Sequence, residues 1–271
     1  MSETIKLRLD RFGKRFAVAG SPDAVAVEDL TLEVRQGEFL VIVGPSGCGK
    51  TTVLNVLAGL DTPTSGAVTI DGRAITGPGP DRGVMFQDYA LFPWHTVWGN
   101  VGFGLRHGPA GASLDPAARD ERVRRTIDLV GLAGSEAKYP HQLSGGMRQR
   151  AALARLIANE PEVLLMDEPL AALDAQTRTI LQDELLRIWG QDRPPAQRRT
   201  VVFITHAIDE AVFLADRVAV MTAHPGRLKL LVDVALPRPR GDATRALPEF
   251  QALTQQLWSL IREEAYRASV A

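Results

Sequence analysis

A chain of 271 residues with 45% hydrophobic and 23% charged residues is an ordinary globular protein, long enough for one large α/β domain or two small ones. A formal charge of −1 leaves no overall field to hold nucleic acid or an anionic membrane surface, and a single cysteine, Cys48, excludes an internal disulfide and fits a reducing compartment. Met1-Ser2-Glu3-Thr4 lacks the basic and apolar regions of a signal peptide, and no apolar run approaches the ~20 residues of a membrane helix, so the expectation is a cytoplasmic chain that reaches any membrane through a partner.

Two alternating segments, Ile5-Lys6-Leu7-Arg8-Leu9 and Leu30-Thr31-Leu32-Glu33-Val34, predict half-buried strands on either side of a loop at 19–23. Phe16 closes Gly13-Lys14-Arg15-Phe16, where core packing is the ordinary role of a lone phenylalanine. Glu38-Phe39-Leu40-Val41-Ile42-Val43 predicts a buried strand, and Thr52-Val53-Leu54-Asn55-Val56-Leu57-Ala58 a buried helix. Between them Gly44-Pro45-Ser46-Gly47-Cys48-Gly49-Lys50-Thr51 fits G-x-x-x-x-G-K-[ST], the phosphate-binding loop of P-loop NTPases. Strand, glycine loop and helix N-terminus make an anion site, because free N–H groups and the helix dipole face the phosphates. Glycines allow close approach of the backbone. Lys50 is expected to reach the β- and γ-phosphates and the Thr51 hydroxyl to bind Mg2+. Cys48 beside a helix N-terminus is either a reactive thiol or a small loop residue.

Further along, Gly66-Ala67-Val68-Thr69-Ile70-Asp71-Gly72 predicts a strand ending in an Asp-Gly turn, and Gly83-Val84-Met85-Phe86-Gln87 a short buried strand. Leu91-Phe92-Pro93-Trp94 is an apolar segment without regular structure. Pro116 opens a helix carrying Val123, Ile127 and Val130, and a second helix starts near Ser144. No strand is expected between Phe92 and Ile157, which predicts an inserted helical subdomain at about 91–157. Val163-Leu164-Leu165-Met166 and Thr200-Val201-Val202-Phe203-Ile204 predict central parallel strands. A helix is expected at 177–189, a polar loop at 191–199, and final strands at 217–221 and 228–232. Pro237-Arg238-Pro239-Arg240 breaks regular structure, and a tail helix follows with Phe250, Leu253, Leu257 and Ile261 on one face. His95, His107, His141 and His224 show no metal-ligand spacing.

Asp167-Glu168 closes a central strand. Ligands of open parallel sheets bind beyond the carboxyl ends of the strands, so Asp167 suits the metal and Glu168 suits deprotonation of an attacking water. Leu143-Ser144-Gly145-Gly146-Met147 places a serine and two glycines at a helix start, a second phosphate site. Together with the upstream loop and the downstream Asp-Glu, this motif resembles the signature of the ATP-binding-cassette (ABC) family.

The resemblance covers nearly the whole chain. It implies an α/β fold: a RecA-like P-loop core with an antiparallel β subdomain and an inserted helical subdomain, over residues 1–240, with a helical tail at 241–271. It implies ATP and Mg2+ as ligands, with residues 44–51 and Thr52 on the phosphates and Ser144, Gly145 and Gly146 closing over ATP held by a second copy. Gln87 matches the glutamine that contacts the metal or water. Asp174, in Ala172-Leu173-Asp174, matches the D-loop, His206 the switch histidine at the γ-phosphate, and Phe16 the aromatic that stacks on adenine, with Phe12 as competitor. The implied partners are transmembrane permease subunits, a second copy of the chain and, indirectly, an extracytoplasmic substrate-binding protein, at the cytoplasmic face of the membrane. Nucleic acid is not expected; a soluble nucleic-acid-acting ABC ATPase and a non-hydrolytic regulator are the rival readings. A narrower resemblance, to the nitrate/sulfonate/taurine importers, rests on Gly77-Pro78-Gly79-Pro80-Asp81-Arg82-Gly83-Val84, Leu91-Phe92-Pro93-Trp94, Pro225-Gly226-Arg227 and Pro237-Arg238-Pro239-Arg240. The chain departs from that subfamily at Leu170-Ala171, commonly Phe-Gly, and at Ala207, commonly Asp.

Overall fold

The computed structural model describes residues 4–17, 20, 22–171 and 173–270; Ala19 and Ala172 lie outside them. Residues up to Gly79 and from Trp189 onward form one compact unit, and Pro80–Ile188 form the other.

The chain opens with β1 (Ile5–Phe16) and β2 (Ala24–Arg35), paired antiparallel with Leu7 opposite Val34 and Leu9 opposite Leu32. Both strands run past the alternating segments that announced them. The backbone ladder continues through Lys14, opposite Val27, and Phe16, opposite Ala24, where side-chain patterning gives no signal. The buried strand β3 (Phe39–Val43) leads into α1 (Lys50–Ala58). β4 (Ser65–Ile70) and β5 (Arg73–Ala74) complete an antiparallel sheet of order β2-β1-β4-β5. Asp71 and Gly72 both have positive φ, 49° and 73°, as a two-residue hairpin turn requires.

In the second unit β6 (Arg82–Met85) is followed only by helices and turns: α2 (Val97–Val101), α3 (Phe103–His107), α4 (Pro116–Leu129) and α5 (Gly145–Ala158). The expected strand-free stretch is helical. α4 starts with Pro116 at its first position, and the Asp115 carboxylate accepts from the Ala118 N–H at 2.7 Å. β7 (Val163–Asp167) runs parallel to β6 with Met85 opposite Met166, and α6 (Ala175–Trp189) leaves the unit.

The first unit resumes with β8 (Thr200–Ile204), α7 (Ile208–Leu214), β9 (Arg217–Met221), β10 (Leu228–Asp233), α8 (Asp242–Arg245) and α9 (Pro248–Val270). β8 and β9 flank β3 in parallel, and β10 closes antiparallel on β9. Every residue of β3, β8 and β9 is buried, as for parallel strands covered on both faces. Pro237-Arg238-Pro239-Arg240 is irregular, as expected, yet it is built in. The buried Arg240 guanidinium donates to the carbonyls of Val212, Phe213, Ala215 and Val234 at 2.7–3.2 Å. It thereby satisfies the last carbonyls of α7 with a cation, which the helix dipole favours. Burial, with Arg238 nearby, pushes its pKa down to about 9, so it stays charged at neutral pH. α9 docks through Phe250, Leu257 and Glu264, with Leu253 and Ile261 half-buried beside them. Among the described residues no helix is long and apolar enough to cross a membrane.

Candidate functional site

The glycine loop hangs between β3 and α1. Gly47 and Gly49 have φ of 77° and 89°, and a Cβ on Gly49 would lie 2.6 Å from Val27 Cγ2 and 2.8 Å from the Ala26 carbonyl oxygen. Only glycine fits there. Gly49 also caps α1 without a side chain, and the first turn carries no acidic residue, so its N–H groups are not capped from within the helix. The Lys50 ammonium donates to the carbonyls of Gly44 at 2.9 Å and Pro45 at 2.8 Å, folded back over the loop. Neutral carbonyls do not compensate a buried cation. The donor set, an uncapped helix start with an ammonium and the Thr51 and Thr52 hydroxyls, fits a polyphosphate. Ser46 and Gly47 form the exposed rim, with Pro45 half-buried. Cys48 is fully buried, and burial pushes its thiol pKa up against the pull of Lys50, whose Nζ is 3.8 Å from Sγ. The reactive-thiol alternative therefore fails, and Cys48 is the small packing residue.

β3 and β8 are parallel with Ile42 opposite Ile204, so the glycine loop and the segment bearing His206 leave the same edge of the sheet. His206 is exposed. Phe16 stands 44% exposed at the end of β1 with the Lys14 ammonium 5.1 Å from its ring centroid, whereas Phe12 is wholly buried. Only Phe16 presents a face to a ligand.

In the other unit β6 and β7 leave their own common edge. Gln87 follows β6 and is exposed, and Asp167, buried, ends β7. Glu168 is half-buried with φ 45°, a left-handed conformation that costs a residue with a Cβ about 1–2 kcal/mol. Ser144 caps α5, its Oγ accepting from the Met147 N–H at 3.3 Å. Nothing lies within 4 Å of a Cβ built on Gly145, and one on Gly146 would lie 3.1 Å from Leu173 Cδ2. With no acid in its first turn, α5 also begins with the features of an anion site. The Asp174 carboxylate accepts from the Thr177 N–H at 2.9 Å and from its hydroxyl at 2.8 Å, and these bonds hold its pKa below the ordinary value. The described residues contain no group of three His, Cys, Asp or Glu that could hold a metal. Thr51 in the first unit, and Gln87 and Asp167 in the second, each carry an oxygen of the kind Mg2+ takes beside phosphate oxygens and water.

A cavity of about 530 Å³ opens within this unit, lined among others by Ala90, Phe92, Phe103 and Arg155. Phe92 packs on Phe103, centroids 4.5 Å apart, while Trp94 is 69% exposed. The apolar segment thus divides into a half-buried aromatic, Phe92, and a mostly exposed one, Trp94, whose ring lies 5.7 Å from that of Phe92. Arg155 donates to the carbonyls of Tyr89 and Ala90 at 2.9 and 2.6 Å, fixing the turn after Gln87. Sequence reasoning missed Arg155. It also missed α7, whose cap Ala207 is not a capping residue; Asp209 and Glu210 in the first turn were the available signal.

The ABC transporter family model matches residues 27–171. The chain is 48% identical over 267 residues to an uncharacterized ABC transporter ATP-binding protein of Methanocaldococcus jannaschii, covering 97% of this chain and 94% of the relative. An aliphatic sulfonates import ATP-binding protein of Bacillus licheniformis is 44% identical over 257 residues (95% and 93% covered), and a nitrate import ATP-binding protein of Synechococcus elongatus 46% over 235 residues (86% and 83%). Among solved structures, a dimeric post-hydrolysis ATP-binding cassette bound to ADP and Pi superposes with a TM-score of 0.74 at 30% identity, over 87% of this chain and 99% of that one.

Proposed function

Because the chain belongs to the ABC transporter family and is an ATP-hydrolysing, Mg2+-dependent importer subunit of RecA-like α/β fold that works as an ATP-sandwich homodimer, we propose that it powers uptake of a small oxyanion, a nitrate, taurine or an aliphatic sulfonate. One observation carries the reading. Two relatives at 44% and 46% identity over most of both chains import sulfonates and nitrate by name. The chain then sits peripherally on the cytoplasmic face of the membrane, on two permease subunits served by an external binding protein.

In this reading residues 44–52 hold the triphosphate, Lys50 neutralises charge that grows on the β- and γ-phosphates, and Phe16 stacks on the adenine. Mg2+, when bound, supplies Lewis-acid stabilisation of the phosphate oxygens. Glu168 takes a proton from the attacking water, and Gln87 and Asp167 orient that water and the metal. His206 donates to the γ-phosphate. Ser144, Gly145 and Gly146 of one copy close on the nucleotide of the other, beside Asp174, so that water is excluded when charge develops. Transport follows from the different affinities of the open and closed dimers for ATP. The exposed face of Trp94, whose ring packs on the cavity-lining Phe92, is assigned to the surface that meets the permease.

The test is uptake in vesicles holding the cognate permease and binding protein. Nitrate, taurine or an alkanesulfonate should accelerate ATP hydrolysis and enter the vesicle; acceleration only by a sugar, amino acid or cation would overturn the substrate class. Trp94→Ala should weaken assembly by about 1–2 kcal/mol and leave ATP affinity and melting temperature of the isolated subunit unchanged. A large drop in melting temperature would make Trp94 a packing residue instead.

A further inference from the structure

The segment that carries His206 has no cap of its own. α7 begins two residues later, and Ala207 at its cap position offers no side-chain acceptor. The cap is replaced from either side. The Thr205 hydroxyl accepts from the Ala207 N–H at 3.0 Å and donates to Glu210 Oε2 at 2.7 Å. Thr205 and Glu210 are both buried, 2% and 4% exposed, while His206 between them is exposed. A buried hydrogen bond to a carboxylate is stronger than a neutral one and leaves one geometry for the backbone it spans. The far end of α7 is tied as well: Arg240 donates to the carbonyls of Val212, Phe213 and Ala215, and Arg238 to that of Leu214 at 2.8 Å. Glu210 therefore projects from a helix tied at both ends, by Thr205 after β8 and by Arg238 and Arg240 of the irregular segment after β10.

We propose that Glu210 and Thr205 are positioning residues for hydrolysis: the Glu210–Thr205–Ala207 bridge fixes the backbone on both sides of His206 and so sets where its imidazole meets the γ-phosphate. The inference rests on the assignment of His206 to that contact. Thr205 and Glu210 are buried, so they would act through the backbone they hold. The bridge orders the exposed imidazole before ATP arrives, so the ordering entropy is not drawn from the transition state.

Thr205→Val removes the hydroxyl at constant shape. It should lower kcat about tenfold or more while the KM for ATP stays within about twofold, the signature of an interaction needed only in the transition state. Thr205→Ser keeps the hydroxyl and should recover most of the loss. The double variant Thr205→Val/Glu210→Met removes both partners, so it should regain melting temperature without regaining kcat. In nucleotide-free protein the His206 imidazole resonances, assigned with His206→Ala, should broaden or shift in Thr205→Val. In the His206→Ala background Thr205→Val should add no further loss, because there is nothing left to position. An equal loss in both backgrounds, or kcat that returns together with melting temperature, would reduce the bridge to a stability element and overturn the proposal. A different result separates the two assignments: full turnover in His206→Ala would remove the γ-phosphate role itself, and the proposal with it.

Discussion

At the scale of single residues, the site combines side chains that pack with side chains that are held ready. Glu168 illustrates the second kind. Its left-handed backbone is tolerated because the turn after β7 imposes it, with the Ala171 N–H donating to its carbonyl at 3.2 Å. Glutamine has the same shape and the same strain, so Glu168→Gln isolates the proton-accepting role. ATP binding should persist and hydrolysis should slow by about 10²–10⁴, with a stable ATP-bound dimer visible by size-exclusion chromatography. Near-normal turnover would remove Glu168 as the base. Phe12 and Phe16 lie in the same strand, one wholly buried and the other 44% exposed. Stacking on a base contributes roughly 1–3 kcal/mol, so Phe16→Ala should weaken ATP binding by that amount with little effect on melting temperature. Phe12→Ala should do the reverse, because emptying a core phenylalanine site costs about 3–5 kcal/mol. Fluorescent-nucleotide titration and thermal melts on the two variants decide it; equal losses of affinity would leave the adenine platform unassigned.

At the scale of elements, α9 shows how an acidic side chain becomes part of a docked helix. Glu264 is buried against the β9–β10 connection. Burial alone would raise its pKa, but the Lys229 ammonium at 2.8 Å, the Ala223 N–H at 3.0 Å and the charge of Arg267 outweigh it and hold the carboxyl below 4.5. A carboxyl more acidic in the folded than in the unfolded chain contributes stability above its unfolded value and loses it as pH falls through its folded value. Glu263, lowered by the same lysine, adds in the same direction. Melting temperature should therefore fall as pH drops below 4.5, and Glu264→Gln should flatten that fall while lowering the plateau at neutral pH. An unchanged slope would show that α9 docks through Leu257 and Phe250 alone. The element also explains why the apolar stripe of Phe250, Leu253, Leu257 and Ile261 was legible and Glu264 was not. Periodicity detects apolar faces, whereas a buried ion pair with Lys229 joins residues far apart in sequence.

At the scale of the whole molecule, the proposed function gives one copy two incomplete phosphate sites that a dimer would join. Mixing Ser144→Arg with Lys50→Ala subunits should yield heterodimers in which one composite site holds both lesions and the other is intact, so activity should return above that of either homodimer. Proven heterodimers with no activity would mean that both sites must fire together or that the signature does not act in trans. The chain alone determined the α/β class, the glycine loop between a buried strand and a helix, the strand-free helical insertion, the capping serine of α5 and the acidic end of β7. These are local features: each rests on residues within a few positions of one another, where periodicity, capping and turn chemistry act directly. The tertiary structure alone decided that β1 and β2 extend to Phe16 and Ala24, that Phe16 rather than Phe12 is exposed, that Cys48 is buried and not a reactive thiol, and that Trp94 is exposed while Phe92 packs. It also decided that Arg240 ends α7 and that Glu210 braces Thr205. Each of these turns on which face of a strand or loop is covered by chain from elsewhere, and burial by distant segments leaves no trace in local patterning.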